Sequence, residues 1–490
     1  MTEQKRQQIH LGYVPAAFQG CLSEKIFSYE GRDESVSMSM PVLTPESAEK
    51  LTAFLHDRQQ AMATIPVKDR VRVIDRAIRQ LLDREHPYRR LAEKWLPVMT
   101  GYDADIIRLG LTRYLKLFQE HELARFLHAD FGNPSLLDQF QPNAKGSFTR
   151  AVGLPITCHI WAGNVPSLSL WSLVSACLVK SSVIGKVSSG EPLMASLFAQ
   201  LLVANEPRLA DSLAIVYWPG GDEAVEKELF ANVEGVLAYG NNQTVAAVRS
   251  RVPITTRFLP YGHKLSFSVV AKEALDRFKA SDTLQRLAKD SVFYDQQGCY
   301  SSQVVFVEEN EALPSAVFAK MLAQQFARDQ LRYPRRELSL AEQTSLKQWL
   351  DMRELQMIKA DRDFLLTDEE AHWGVYYQAD CGSPGLTASA LNRTVTVIPF
   401  RRQADLQPFL ERHRALLQTA GLAVPTETLF AWAEFLAGEG VTRISAIGEM
   451  TLPEAGWHHD GGLNLMSLVN MVDLERSAES LAVKYSATAD

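Results

Sequence analysis

The run GLPITCHIWAGNVPSLSLWSLVSACLVKSSVIGKVSSGEPLMASLFAQLLVAN, residues 153–205, decides the fold. Short apolar segments alternate in it with longer ones, and Pro, Gly, Asn or Ser marks each change. Gly153–Ile160 reads as a strand, Ser167–Val179 as a helix, Ser182–Val187 as a strand and Pro192–Asn205 as a helix. The pattern continues with strands at Leu213–Trp218 and Gly235–Tyr239, and helices at Asp222–Phe230 and Thr244–Arg251. Strand–helix units in this succession predict an α/β protein with a parallel, right-handed, doubly wound sheet. Ligands of such sheets sit at the loops that follow the strands. No G-x-G-x-x-G follows any of these strands, so the common dinucleotide fingerprint is missing.

Working outward, residues 151–179 hold no Asp, Glu, Lys or Arg, a length that can span a bilayer. Gly153, Pro155, Gly163, Asn164 and Pro166 cut this stretch into strand, loop and helix, so it reads as buried core with no membrane span. Upstream, residues 1–45 read as an irregular N-terminal leader. Thr44-Pro45 opens a helix, with helical periodicity from Glu46 to Ile78 and further helices to Leu127. Downstream, a second α/β half runs from about Lys264 to Ile447, with strands at Gln303–Val307 and Thr394–Pro399. Four parts follow: the leader; a nucleotide-binding Rossmann-like domain over 46–262, with a bridging strand near 145–158; a catalytic domain over 263–447; and a C-terminal bridging or oligomerisation segment over 448–490.

The chain has 490 residues and a formal charge of −7, which offers no basic field for nucleic acid. Basic pairs such as Arg89–Arg90 and Arg335–Arg336 read as solvated surface. Its five cysteines, Cys21, Cys158, Cys177, Cys299 and Cys381, include no C-x-x-C, so neither a disulfide framework nor a zinc site is expected. The polar start, Met1–Gly12, shows no secretion signal, and a cytoplasmic location follows as the expectation.

Five loops carry chemistry. Asp295-Gln296-Gln297-Gly298-Cys299-Tyr300-Ser301-Ser302-Gln303 places a cysteine among polar neighbours just before a strand, where a thiol can face a cleft. Cys158 and Cys177, by contrast, lie in apolar runs and read as small buried hydrophobes. Asn164, in Trp161-Ala162-Gly163-Asn164-Val165-Pro166, can aim an amide at an oxyanion or simply serve a turn. Lys186, Ser188 and Ser189, in Gly185–Pro192, can hold ribose and phosphate at a helix start. Tyr239-Gly240-Asn241-Asn242 and Pro260-Tyr261-Gly262-His263-Lys264 follow the same strand-end logic, and each taken singly is an ordinary loop. The tail adds Trp457-His458-His459-Asp460-Gly461, which has too few suitably spaced ligands for a metal.

In order and spacing these motifs resemble the aldehyde dehydrogenase superfamily over roughly residues 50–460, and within it the fatty acyl-CoA reductases of bacterial bioluminescence. The resemblance implies an aldehyde dehydrogenase-like fold and a role for each matching position. Cys299 stands where the family keeps its nucleophile, and Asn164 at the oxyanion donor. Lys186 stands at the adenine ribose, and Gly240 and Asn241 beside the nicotinamide half of the cofactor. His263 and Lys264 lie near the cleft, as cations that can lower the thiol pKa or as a structural turn beside the sheet, and the Trp457–Gly461 loop borders the acyl tunnel or a subunit contact.

Three departures matter. Aligned on Lys264, the hydrolytic general-base Glu is replaced by Pro260, which has no acid–base group. Three residues after Lys186, Ser189 replaces the Glu common in NAD-preferring members, which favours NADPH unless the loop shifts to bring Glu191 there. Ser389-Ala390-Leu391 stands in place of the Glu-x-Phe that grips the nicotinamide ribose.

The expected activity is therefore NADPH-dependent reduction of a long-chain acyl-CoA or acyl-protein thioester to the aldehyde, through an acyl thioester and a thiohemiacetal on Cys299. The Cys299 pKa is expected to be depressed by its site. The alternatives are a hydrolytic aldehyde dehydrogenase and a non-catalytic acyl-carrying subunit of a reductase complex. The resemblance also implies a homodimer or homotetramer and allows an acyl-activating synthetase as partner.

Overall fold

The computed structural model describes residues 7–31, 35–276, 278–381 and 389–486. Thr44 caps the first long helix, Pro45–Ala63, by a reciprocal hydrogen-bonded box with Ser47. The periodicity expected to run on to Ile78 breaks at Pro66, whose missing N–H and fixed φ separate this helix from Val67–Leu82. Helices Pro87–Thr100, Ala104–Lys116 and Glu120–Phe131 complete a helical layer. Arg89 corrects an expectation: it is 1% exposed, not solvated. Its guanidinium donates to Glu93 Oε1 and to the Leu81 and Arg108 carbonyls, tying three helices together.

The first sheet has five strands, all parallel, in the order Arg257–Tyr261, Gly235–Tyr239, Ile156–Ile160, Ser182–Lys186, Leu213–Val216. The chain runs outward from the central strand in one direction and then in the other, which is the doubly wound pattern. Every residue of Ile156–Ile160 is buried, and so is every residue of the helix Ser169–Leu178 that follows. That full burial is why the stretch lacks charge. Among the described residues no helix is long and apolar enough to cross a membrane. Gly185 is required here by close approach, since a Cβ on it would overlap the indole of Trp161.

The second sheet has seven strands: Phe364–Thr367, Gly374–Tyr377, Thr394–Phe400, Ser302–Glu308, Leu265–Val270, Leu417–Ala423 and Arg443–Ala446. All pairs are parallel except the one made by the edge strand Phe364–Thr367. A third, antiparallel sheet pairs Val469–Leu474 with Phe148–Gly153, and the latter with Gln141–Pro142. Through it the end of the chain returns to the first half of the molecule.

The N-terminal region is not an irregular leader. Gln7–His10, Ser35–Val42 and Ser23–Glu30 form a three-stranded sheet in that order. The strict alternation Ser35-Val36-Ser37-Met38-Ser39-Met40 has the period-two signature of a half-buried strand, and it buries Val36, Met38 and Met40. Tyr13 N donates to the Ile215 carbonyl at 3.0 Å and Ile215 N to that of Tyr13 at 2.7 Å, joining this sheet to the first.

Candidate active site

The carboxyl ends of strands in the first sheet and the amino ends of strands in the second converge on a cavity of about 310 Å³. The first sheet contributes the loops that hold Asn164, Gly240, Asn241, His263 and Lys264; the second contributes Gln296–Tyr300, Gln303 and Gln418. Leu391 and His459 close the lining. Asn241 faces the cavity as the N-cap of the helix Asn242–Arg249, its Oδ1 accepting from Thr244 N at 2.8 Å.

Cys299 ends a strained loop. Tyr294, Asp295 and Gln296 have φ of 48°, 49° and 62°, three consecutive left-handed residues of which none is glycine. Leu391, Asn392 and Arg393 repeat the feature at 58°, 53° and 69°. Each such residue costs roughly 1 kcal/mol and persists only where its surroundings enforce it. Here the two turns enforce each other. Asn392 N donates to the Asp295 carbonyl at 3.0 Å. Arg393 Nε donates to Asp295 Oδ1 at 2.7 Å, with side chains 2% and 1% exposed. Gln296 Nε2 donates to the Thr394 carbonyl at 2.9 Å, and its Oε1 accepts from Thr394 N at 2.8 Å. Arg393 Nη1 also donates to the Tyr333 carbonyl and to Gln330 Oε1.

The thiol is half-buried. Burial pushes its pKa up to about 11, and the negative charge of Asp460 adds to the rise. A side-chain hydrogen bond from Gln418 and the charge of Arg443 act the other way and do not prevail. The expectation of a depressed thiol pKa is therefore corrected. Its intended cation, Lys264, is engaged elsewhere, with Nζ 3.7 Å from Asp460 Oδ2. Gln418 Nε2 donates to Asp460 Oδ1 at 2.6 Å, so a chain of contacts runs from Lys264 through Asp460 and Gln418 to the sulfur. Ser266 Oγ fixes the Cys299 carbonyl at 2.7 Å.

Asn164 is exposed to the cavity, and its Nδ2 donates to the Gln297 carbonyl at 3.1 Å, which holds the amide against the thiol loop. Its own carbonyl accepts from Tyr102 Oη at 2.7 Å. Lys186, Ser188 and Ser189 do not line this cavity. They sit at the end of the strand Ser182–Lys186, where Lys186 Nζ lies 5.7 Å from the ring centres of Tyr217 and Trp218. Tyr29 Oη donates to the Ser189 carbonyl at 2.6 Å. Glu191 faces inward: its carboxylate accepts from Leu193 N and Met194 N at 2.8 Å, and from Ser167 N at 3.3 Å. Burial pushes its pKa up to about 7 in spite of those three bonds. Among the described residues no group of three or more His, Cys, Asp or Glu is placed to hold a metal ion.

The tail motif divides. His459 lines the cavity, stacked on Tyr261 at 4.6 Å and tilted against Trp457 at 4.7 Å, with Nδ1 buried and unpartnered. Burial lowers its pKa to about 4. His458 is exposed and outside the lining. Pro260 is also outside it, on a surface groove with Phe258 and Val245. Leu391, from the Ser389-Ala390-Leu391 stretch, does line the cavity. Sequence reasoning passed over Gln418, Arg393 and the pairing of Arg393 with Asp295. Gln418 and Arg393 sit in or beside strands with no local motif, and only tertiary pairing brings them to the thiol loop.

Comparison with known proteins agrees with this geometry. The family model for acyl-CoA reductase (LuxC) matches residues 62–471. Long-chain acyl-protein thioester reductase 2 of Photobacterium leiognathi is 26% identical over 397 residues, covering 79% of each chain. Aldehyde dehydrogenase 21 of Physcomitrella patens, in complex with succinate, shares the fold with a TM-score of 0.73 at 13% identity, over 96% of this chain and 98% of that one. The NADP complex of a glyceraldehyde-3-phosphate dehydrogenase from Methanocaldococcus jannaschii matches with a TM-score of 0.68 at 14% identity, over 92% and 98% of the two chains.

Two outcomes are expected of variants here. Arg393→Met removes the closest partner of the buried Asp295 carboxylate and leaves it only Arg336, with Nε at 3.8 Å, which lowers the stability read from urea unfolding by about 3 kcal/mol. Asp460→Asn removes a negative charge that disfavours the thiolate, so the pKa of Cys299 falls. Its alkylation by iodoacetamide at pH 8 then speeds up by roughly three- to tenfold.

Proposed function

Because the chain belongs to the acyl-CoA reductase (LuxC) family, we propose that it reduces a long-chain acyl thioester to the aldehyde at Cys299, with NADPH as reductant. The observation that carries the reading is a cysteine on a clamped loop facing a cavity whose lining contains no carboxylate among the described residues. The residues present suit a nicotinamide dinucleotide. Lys186 and the Ser188 and Ser189 hydroxyls offer donors for the ribose and phosphate half, while Gly240, Asn241 and Leu391 frame the part of the cavity open to the ring. Inward-facing Glu191, fixed by three backbone donors, leaves no carboxylate from this loop to repel a 2′-phosphate, which favours NADPH over NADH.

In the proposed sequence Cys299 Sγ adds to the thioester carbonyl, and the donor leaves as its thiol. The resting thiol is neutral. Its proton departs as the S–C bond forms, when the sulfur has become far more acidic than in the free side chain. Neutral His459, whose ring lines the same cavity, is the acceptor, and it returns the proton to the departing thiolate. The Asn164 amide and a backbone N–H stabilise the oxyanion. A bound nicotinamide supplies the hydride that reduces the carbonyl of the acyl thioester. The thiohemiacetal then held by Cys299 collapses to aldehyde and thiol. Among the described residues no carboxylate stands in the lining to activate water, so release as the free acid is slow.

The test is a steady-state assay of aldehyde formation and NADPH oxidation with a long-chain acyl-CoA. The full chain yields aldehyde and oxidised cofactor one for one, and Cys299→Ala yields none. Ser189→Glu raises the KM for NADPH about tenfold and spares that for NADH. Free acid as the main product would return the protein to the hydrolytic class.

A further inference from the structure

Beside the thiol loop, but separate from the cavity just described, lies a second cleft of about 610 Å³. Its walls are the helices Ala104–Lys116, Ala280–Val292 and Ser315–Arg332. Five cations line it, Arg113, Arg286, Lys289, Arg328 and Arg332, against the two carboxylates Asp282 and Asp329. Arg286 is paired with Asp282 at 2.7 Å, and Lys289 with Glu449 at 3.1 Å. Asp329 accepts from Gln325 Nε2 at 3.1 Å. Among the described residues Arg113, Arg328 and Arg332 form no ion pair; Arg332 lies over the Tyr333 ring at 4.9 Å. Three guanidinium groups that make no ion pair, of which Arg328 and Arg332 act on Asp329 through space, leave the cleft a surplus of positive charge on a chain of net charge −7. Guanidinium forks match phosphate oxygens. Ile106, Leu109 and Phe293 add an apolar part to the lining.

The placement relative to Cys299 gives this charge a purpose. Val292 and Phe293, in the cleft wall, run directly into the left-handed turn and then to Cys299, six residues beyond Phe293. The thiol loop is therefore within about 20 Å of the cleft, the reach of six extended residues and the scale of an extended pantetheine arm. None of the residues from Gly185 to Pro192 lines this cleft, so a nucleotide held there leaves it free.

We propose that the cleft seats the phosphates of a phosphopantetheine thioester, with Arg113, Arg328 and Arg332 as ligands, while the acyl carbonyl reaches Cys299. The proposal rests on the reading of Cys299 as the acyl acceptor and adds where the donor's head is bound.

The test compares KM for myristoyl-CoA with KM for the same acyl group on N-acetylcysteamine, which carries the thioester but no phosphate. It uses the full chain, Arg113→Glu, and the double variant Arg328→Glu/Arg332→Glu. The reversals raise KM for myristoyl-CoA about tenfold or more and leave KM for the phosphate-free thioester and for NADPH unchanged. Myristoyl-4′-phosphopantetheine separates the sources of the phosphate. An equal rise for it assigns the cleft to the phosphate beside the pantoyl group, as on a carrier arm; a rise for CoA alone assigns it to the adenosine phosphates. Unchanged KM for myristoyl-CoA overturns the proposal, and so does an equal rise for all three thioesters. If the unaltered chain reduces none of them, the reading of Cys299 fails instead. Calorimetry of free coenzyme A on the same three proteins then decides the cleft by itself: binding weakened in the variants supports it, and equal binding overturns it.

Discussion

The buried pair Asp295–Arg393 is the constraint on which the site depends. Two left-handed turns, 294–296 and 391–393, are each unfavourable for L-residues, and neither would hold alone. The carboxylate of one turn meets the guanidinium of the other at 2.7 Å, and the Asn392–Asp295 backbone bond and the Gln296 side-chain bonds to Thr394 close the pairing around it. Strain in the thiol loop is thus offset by an interaction that exists only when the second turn is also in place. One consequence is that the position of Cys299 and that of Leu391, on opposite parts of the cavity lining, are set together.

The electrostatics of the thiol follow from the same enclosure. A cysteine in this setting rests protonated, because desolvation and Asp460 outweigh the Gln418 hydrogen bond and the Arg443 charge. The resting sulfur is accordingly a poor nucleophile toward adventitious electrophiles and oxidants, and reactivity waits for a carbonyl in the cavity and an acceptor for the proton. Glu191 plays a comparable structural part on the first sheet. By accepting from Ser167 N and from Leu193 N and Met194 N, it joins the loop that carries Asn164 to the loop that follows Lys186.

Much of this was legible in the sequence, and the reasons differ by element. The alternation of apolar runs over residues 153–251 reports a fully buried parallel sheet directly, since burial on both faces leaves no room for charge. Cys299, Asn164, Gly240, Asn241, His263, Lys264 and His459 were all singled out, because strand-end loops carry local signatures, and the cavity brings them together. The N-terminal sheet was missed although Ser35–Met40 alternates strictly, since its partners Gln7–His10 and Ser23–Glu30 carry weak patterns of their own. The direction of the Cys299 pKa was missed for another reason: it is set by burial of the thiol and then by the charge of Asp460, a residue far away in the chain. His458 and His459 are indistinguishable as letters, and only the fold turns one of them into the cavity and the other to solvent.

The central claim is that Cys299 carries the acyl group and that the cavity protects it from water until hydride arrives. Intact-mass analysis tests this most directly, after the protein is mixed with a long-chain acyl-CoA in the absence of NADPH. The account predicts one acyl adduct, mapped to the peptide of Cys299, that persists in buffer and disappears with formation of aldehyde when NADPH is added. An adduct that decays at once to free acid, or one that maps to another residue, would contradict it.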